Sequence, residues 1–225
     1  MSVNGKKALV TGGSRGIGFE ICKILLENGC EVIALSKNLE NLTKAKSLLP
    51  ELLVLQADVE VASQFEKISE YVSNTWGYLD ILINNAGISP TQGNELSIQP
   101  DEVFLRTIET NLTAPYFGIK RLLPHLLESK DPRIINIGSS MGIISPHLSG
   151  VYSVSKAALH ALTIAFANEL QGKVGVNVLC PGWVKTDMAP NAPGDPRSSA
   201  EAVLSLLSKD KSFTGHILRG KAVFQ

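Results

Sequence analysis

Tyr152 and Lys156 stand four residues apart in Tyr152-Ser153-Val154-Ser155-Lys156, a spacing that puts a phenol and an ammonium on one face of a helix. A cation beside a phenol favours the phenolate. Lys156 is therefore expected to pull the Tyr152 pKa down from its ordinary value of about 10 toward the range where proton transfer is useful at neutral pH. Ser139, thirteen residues before Tyr152, adds a hydroxyl at the end of an apolar run. The three read as a carbonyl-reducing site in which Ser139 holds the substrate oxygen, Tyr152 gives the proton and Lys156 keeps the tyrosine acidic.

Reduction also needs a hydride donor, and the start of the chain offers a place for one. Lys7-Ala8-Leu9-Val10 is a short apolar run that ends in Thr11-Gly12-Gly13-Ser14-Arg15-Gly16-Ile17-Gly18, and Phe19 to Asn28 then reads as an amphipathic helix. A glycine turn between strand and helix lets main-chain N–H groups approach a pyrophosphate, and a helix start favours anions. Gly12, Ser14, Arg15, Gly16, Ile17 and Gly18 are the candidate contacts. The spacing is G-x-x-x-G-x-G, not the common G-x-G-x-x-G, and an ordinary strand-to-helix turn remains an alternative reading.

Glu31 to Leu35 is a second strand, and the residue that follows bears on cofactor choice, because a carboxylate there would bond the ribose 2′-hydroxyl of NAD. Ser36-Lys37 has none. Lys37 and Arg15 instead offer two cations to a 2′-phosphate, so NADP(H) is expected in preference to NAD(H).

The elements that must position these groups alternate. Leu39 to Leu49 reads as helix, Leu52 to Ala57 as strand, Val61 to Trp76 as helix and Leu79 to Ile83 as strand. Asp58-Val59 follows the third strand, where Asp58 could cap a helix or contact adenine. Asn84-Asn85-Ala86-Gly87 follows the fourth, with small residues for a closely approaching cofactor and amides to tie neighbouring strands. After a polar loop from Ser89 to Pro100, one helix is expected from Asp101 to Glu128; Asn111 inside it marks a kink or a bound water. Arg133 to Ile137 and Val174 to Leu179 are further strands, Tyr152 to Leu170 and Ser198 to Leu207 further helices, and Gly215 to Phe224 a last edge strand. The expected fold is α/β: one Rossmann-type doubly wound parallel sheet of about seven strands, helices on both faces, in a single domain over residues 1–225.

Composition narrows the partners. The 225 residues carry 21 basic and 21 acidic side chains, which leaves no bulk charge for nucleic acid or an anionic membrane. Cys22, Cys30 and Cys180 lack paired or zinc-ligand spacing and read as buried thiols in a reducing compartment; no metal site is expected. The N-terminus shows no signal-peptide core and no apolar run reaches membrane-spanning length, so the expected location is cytoplasmic.

These motifs taken together resemble the short-chain dehydrogenase/reductase family: Thr11-Gly12-x-x-x-Gly16-x-Gly18, Asn84-Asn85-Ala86-Gly87, Asn111, Ser139, Tyr152-x-x-x-Lys156 and Pro181-Gly182-x-x-x-Thr186 occur in that order over nearly the whole chain. The resemblance implies hydride transfer between nicotinamide and a carbonyl, with Asn111, Ser139, Tyr152 and Lys156 as a catalytic tetrad. It implies that Lys156 also holds the nicotinamide ribose and that Asn111 holds a water relaying protons to Lys156. Asp58 and Val59 would meet the adenine, Asn85, Ala86 and Gly87 the cofactor's middle, and Pro181, Gly182, Val184 and Thr186 the carboxamide. Ile88, Met141, His147, Trp183 and Met188 are candidate substrate contacts by position. Two features depart from the family pattern. Ala189 to Pro196 is short where many relatives carry a helical lid, and the Leu218–Phe224 end lacks the usual acidic residue and glycine pair. A homodimer or homotetramer is expected through the 101–128 and 152–170 helices.

Two other functions are compatible with parts of the chain. Gly138-Ser139-Ser140-Met141-Gly142 fits the G-x-S-x-G elbow of a serine hydrolase, with His216 downstream, although Ile143-Ile144-Ser145-Pro146 does not read as the helix that such an elbow enters. A non-catalytic NADPH-binding module could also use this fold. Within the enzyme reading, a ketone, aldehyde or quinone reductase competes with a 3-oxoacyl thioester reductase.

Overall fold

A computed structural model of the chain describes residues 2–90, 95–145, 150–220 and 222–223. Its centre is one sheet built from β1 (Lys7–Thr11), β2 (Glu31–Ser36), β3 (Leu53–Gln56), β4 (Ile81–Asn84), β5 (Arg133–Ile137), β6 (Gly175–Cys180), β7 (Ile217–Arg219) and β8 (Ala222–Val223). The spatial order is β3-β2-β1-β4-β5-β6-β7-β8. All pairings through β7 are parallel, and β8 closes the edge antiparallel.

The inner strands are apolar throughout because both faces are covered. In β1, Ala8 and Val10 point to one side, where they join Ile21, Cys22 and Leu25 of α1 (Gly16–Glu27), Leu42 and Ala45 of α2 (Leu39–Leu48) and Val203 of α8 (Pro196–Leu207). Leu9 points to the other side. There it meets Phe65 and Ile68 of α3 (Gln64–Thr75), Ile119 and Leu122 of α5 (Ala114–Leu127) and Phe166 of α7 (Gly150–Glu169). The three cysteines are buried and free, and burial pushes the Cys30 thiol up to about 12 and that of Cys180 up to about 11. No helix among the described residues is long and apolar enough to cross a membrane.

Three expectations need correction. The sheet has eight strands, because the expected last strand folds back at Gly220, whose φ of +57° suits glycine, into the β7/β8 pair. The single 101–128 helix is instead α4 (Asp101–Ile108), a π-helical turn at Glu109–Thr113 and α5, so the kink expected at Asn111 is one residue-wide insertion in the helical register. Helix α1 starts at Gly16, three residues before the expected Phe19. Gly16, Ile17 and Gly18 are its first turn, since glycine is what lets that turn lie against the end of β1.

Gly18 makes the closest approach. A Cβ on it would run into the Gly12 carbonyl oxygen and the Asn85 side-chain amide. Gly18→Ala is therefore expected to cost roughly 2–4 kcal/mol of stability, read as a lower urea midpoint; a loss below about 0.5 kcal/mol would show that the turn gives way instead.

Candidate active site

The chain leaves β1 to build β2 and β3 on one side and returns to build β4 onward on the other, so a crevice opens between the carboxyl ends of β1 and β4. Hydrogen bonds fix its walls. The Thr11 hydroxyl accepts from the Asn85 and Ala86 main-chain N–H groups at 3.0 Å each, and the Asn85 amide donates back to the Thr11 and Gly12 carbonyls at 2.9 and 3.2 Å. Asn84 donates to Asn136 of β5, and Asn136 in turn to Thr163 of α7, both at 2.8 Å. The amides of Asn84 and Asn85 thus tie strands, as expected from their position.

The crevice widens into a cleft of about 270 Å³. Gly12, Ser14, Arg15, Gly16, Ile17 and Gly18 line one end with Ser36, Lys37, Asp58 and Val59. Asn85, Ala86, Gly87 and Ile88 line the middle, and Tyr152, Lys156, Pro181, Thr186 and Met188 the far end. The start of α1 has no side-chain cap, leaving main-chain donors of its first turn to other partners, and Gly12 at φ +64° keeps a side chain out of their approach. These surroundings fit a pyrophosphate-containing dinucleotide.

Not every expected residue reaches the cleft. Ser139, Asn111, Gly182, Val184, Met141 and Trp183 do not line it. Val184 is buried, its main chain bridged to Gly194, while Trp183 is two-thirds exposed and Met141 lies on the outer surface of α6 (Met141–Ile144). His147 lies outside the described residues. The short 189–196 loop is pinned through the Val184–Gly194 and Thr186–Ala189 bridges and by its own buried Ala192.

Around the phenol, the four expected residues converge. The Ser139 hydroxyl lies near enough to the Tyr152 phenol to favour its ionised form, and it accepts from the Met141 N–H at 3.2 Å. Lys156 is buried, donates to the Ile137 carbonyl at 2.7 Å and lies 5.8 Å from the centre of the Tyr152 ring. Asn111 is fully buried behind the cleft: its Oδ1 accepts from the Ile88 N–H at 2.8 Å, and its Nδ2 donates to the Ile88 carbonyl and the Ser155 hydroxyl at 2.9 and 3.0 Å. A Cβ on Gly87 would sit 3.2 Å from Asn111 Oδ1 and 3.6 Å from Lys156 Nζ, so glycine is what lets these groups crowd the cleft wall.

The electrostatics correct one expectation. Burial raises the Tyr152 pKa above its ordinary value; the Ser139 hydroxyl opposes this, and Lys156 does not lower it. The reason is visible in the lysine, whose ammonium is turned to the Ile137 carbonyl and is itself destabilised by burial, which pushes its pKa down to about 8. Tyr152 is therefore a neutral phenol at pH 7, the protonated form that a general acid needs.

Sequence reasoning missed three parts of the site. His160, one turn beyond Lys156 on α7, accepts the Ser139 N–H on Nε2 at 3.4 Å and lies 3.9 Å from the Cys180 sulfur. Burial, with a further contribution from Lys156, pushes it down to about 4, so the ring is neutral and Nε2 remains an acceptor. Its i+4 relation to Lys156 could have pointed to it. Asp187 pairs with Arg15 at 2.6 Å and Glu60 with Lys37 at 3.0 Å, so both cations expected to meet a 2′-phosphate already face carboxylates. Nothing in the sequence joins Arg15 to a residue so far along the chain.

Comparison with known proteins decides the family. The short chain dehydrogenase model matches residues 6–196, most of the chain. This chain belongs to the short-chain dehydrogenase/reductase family. Its relatives within that family include the 3-oxoacyl-[acyl-carrier-protein] reductase FabG of Vibrio harveyi, 34% identical over 97% of this chain and 96% of that protein. Among solved structures, a Shigella flexneri short chain dehydrogenase complexed with NADP is 25% identical with a TM-score of 0.90, covering 98% of each chain. A Thermoplasma acidophilum aldohexose dehydrogenase is 26% identical with a TM-score of 0.86, covering 96% of this chain and 92% of that one. Short-chain dehydrogenases on this fold thus include members named for very different carbonyl and alcohol substrates.

Proposed function

We propose that residues 1–225 form one NADPH-dependent reductase domain that converts a ketone, aldehyde or quinone to the alcohol. The observation carrying this reading is Tyr152 with the buried Lys156 at one end of a cleft whose other end is the glycine turn, the Ser139 hydroxyl lying beside the phenol. Bound nicotinamide supplies the hydride. Ser139 holds the carbonyl oxygen and Tyr152, neutral at working pH, gives that oxygen its proton as charge develops on it. Lys156 would hold the nicotinamide ribose and, with a water on the Asn111 side, would return a proton to Tyr152. Asp58 and Val59 border the adenine, and Pro181 and Thr186 the carboxamide.

A 3-oxoacyl thioester as substrate is the second reading, favoured by the FabG relative. A panel of ketones, aldehydes, quinones and 3-oxoacyl thioesters, followed by NADPH absorbance, separates the two. Turnover with none of these classes would overturn the reductase reading. With the best substrate, Ser139→Ala is expected to lower kcat by about 10²-fold or more and Ser140→Ala by less than about threefold. The reverse result would mean that the other serine faces the substrate.

The hydrolase alternative loses and gains a point. Ser140 does enter one helical turn, α6, which the sequence did not foresee. Yet no histidine among the described residues hydrogen-bonds Ser140. His216 precedes β7 level with Asn177, its ring stacked on Phe213, toward the amino ends of the strands and away from the Ser139 end of β5.

Dimerisation through α4, α5 and α7 is proposed on the exposed apolar side chains of Phe104, Leu105, Tyr116 and Ile164 on those helices.

A further inference from the structure

Glu60 follows Asp58-Val59 after β3 and is the most heavily bonded side chain at the adenosine end of the cleft. Its Oε1 accepts from Lys37 Nζ at 3.0 Å, from the Thr110 hydroxyl at 3.1 Å and from Arg106 Nη2 at 3.4 Å; its Oε2 accepts from Arg106 Nε at 3.3 Å. Asp58 Oδ2 lies 3.6 Å from the same Lys37 ammonium, and its Oδ1 accepts the Glu60 main-chain N–H at 3.0 Å. Two cations and two carboxylates meet here, so Lys37 does not present a bare positive charge. Glu60 is only 17% exposed, against 48% for Lys37, so the carboxylate is the fixed partner and the ammonium the movable one.

We propose that Glu60 is a specificity-determining residue that competes with the cofactor's 2′-phosphate for Lys37 and so moderates the preference for NADPH over NADH. This rests on the reading that Lys37 meets that phosphate. A 2′-phosphate taking Lys37 does not strand Glu60, because Arg106 of α4 still donates to both of its oxygens, with the Thr110 hydroxyl, shared with the Arg106 carbonyl, beside them. The exchange leaves no charge buried and unpaired, and for that reason it is feasible. It carries a penalty all the same. The phosphate dianion gives up part of the ammonium's field to Glu60 and Asp58 and stands close to both carboxylates. A 2′-hydroxyl carries no charge and loses nothing to either. The carboxylates therefore weaken binding of the phosphorylated ribose selectively, and removal of the Glu60 charge should strengthen it selectively.

The test uses the adenosine end of the cofactor alone, so it needs no turnover. Dissociation constants of 2′,5′-ADP and 5′-ADP are measured by calorimetry for the wild-type chain, Glu60→Gln, Lys37→Ala and the double variant, with thermal unfolding as a check that each is folded. Glutamine keeps an acceptor oxygen for Thr110 and Arg106 while removing the charge. Glu60→Gln is expected to tighten 2′,5′-ADP by about fivefold, the upper range for a partly exposed ion pair, and to leave 5′-ADP within about twofold. The gain should fall to the small part that direct repulsion supplies, about twofold or less, when Lys37 is alanine. An unchanged ratio of the two constants in Glu60→Gln overturns the proposal, as does a gain undiminished without Lys37. If Lys37→Ala leaves the ratio unchanged in both backgrounds, the assignment of Lys37 to the 2′-phosphate fails first, and the two failures are thereby told apart.

Discussion

Tyr152→Phe is expected to lower kcat for carbonyl reduction by about 10³-fold or more while leaving NADPH affinity within about threefold. The phenol lines the cleft, lies beside the Ser139 hydroxyl and carries its proton at neutral pH. Without it, the oxygen receiving hydride would have to take its proton from water in a site where the tyrosine's own pKa already shows the poor solvation of charge. Phenylalanine fills the same space apart from one oxygen. Stability should therefore move by no more than about 1 kcal/mol, since the Ser139 hydroxyl keeps the Met141 N–H as partner. Initial rates by NADPH absorbance, cofactor binding by fluorescence and a thermal melt give the three readings. A loss of turnover below tenfold would remove Tyr152 from the acid role, and a chain that binds NADPH but never turns over with Tyr152 intact would support a binding module instead.

What the sequence carried was the periodicity and the punctuation. Apolar runs of four to six residues that alternate with helical patterns specify a parallel sheet because both faces must be covered, and β5 was legible to the residue at Arg133–Ile137. Helix ends were less legible where glycine was read as punctuation only. Gly16 and Gly18 lie inside α1, since Gly16 takes a φ of +54° beside Thr186 and Gly18 packs closely against Gly12 and Asn85, which no local pattern reports. The π-helical turn at Asn111 likewise depends on tertiary partners: the side chain spends its amide on Ile88 and Ser155, and the helix takes up the extra residue to place it there.

The site shows the same division. Tyr152 and Lys156 share a helix, so their juxtaposition follows from spacing, and Ser139 follows from its place at the end of a strand. Charge pairing does not follow in this way. Arg15 and Lys37 were readable as cations near a 2′-phosphate, but Asp187 and Glu60 come to them from other loops, and the field at a ligand is set by the whole set. The tyrosine's pKa went astray for a related reason. A lysine four residues away acidifies a phenol only if its ammonium faces the oxygen, and here it faces the Ile137 carbonyl. A bound ribose hydroxyl would offer Lys156 a second partner beside the phenol.

Lys156→Met is expected to abolish turnover and yet make the chain more stable at pH 7. Burial pushes the lysine down to about 8 from its ordinary 10.5, a gap worth roughly 3 kcal/mol against the folded state while the group is charged. The sign follows from proton counts. Below about pH 8 the lysine is charged whether folded or unfolded, and the folded state bears the full cost of burying it. Between about 8 and 10.5 the folded chain releases this proton first, the unfolded chain keeps it, and the lysine's contribution to stability rises with pH. Above that window the lysine is neutral in both states and the cost is gone. Methionine occupies a similar volume without a charge, so its advantage is largest at pH 6–7 and shrinks through pH 8–10. Leaving the Ile137 carbonyl without its donor returns about 1–2 kcal/mol, which sets the net gain near pH 7 at about 1–2 kcal/mol. The buried thiols and Tyr152, whose pKa values burial raises, lower stability as pH climbs past about 9, but they do so in wild type and variant alike and cancel in the difference, while His160 lies well below the window, near 4. Urea midpoints of wild type and variant from pH 6 to 10 measure it. A variant that is less stable at pH 7, or a difference that does not narrow with pH, would mean that the buried ammonium is already well paired, and that turnover does not come at the expense of stability at this position.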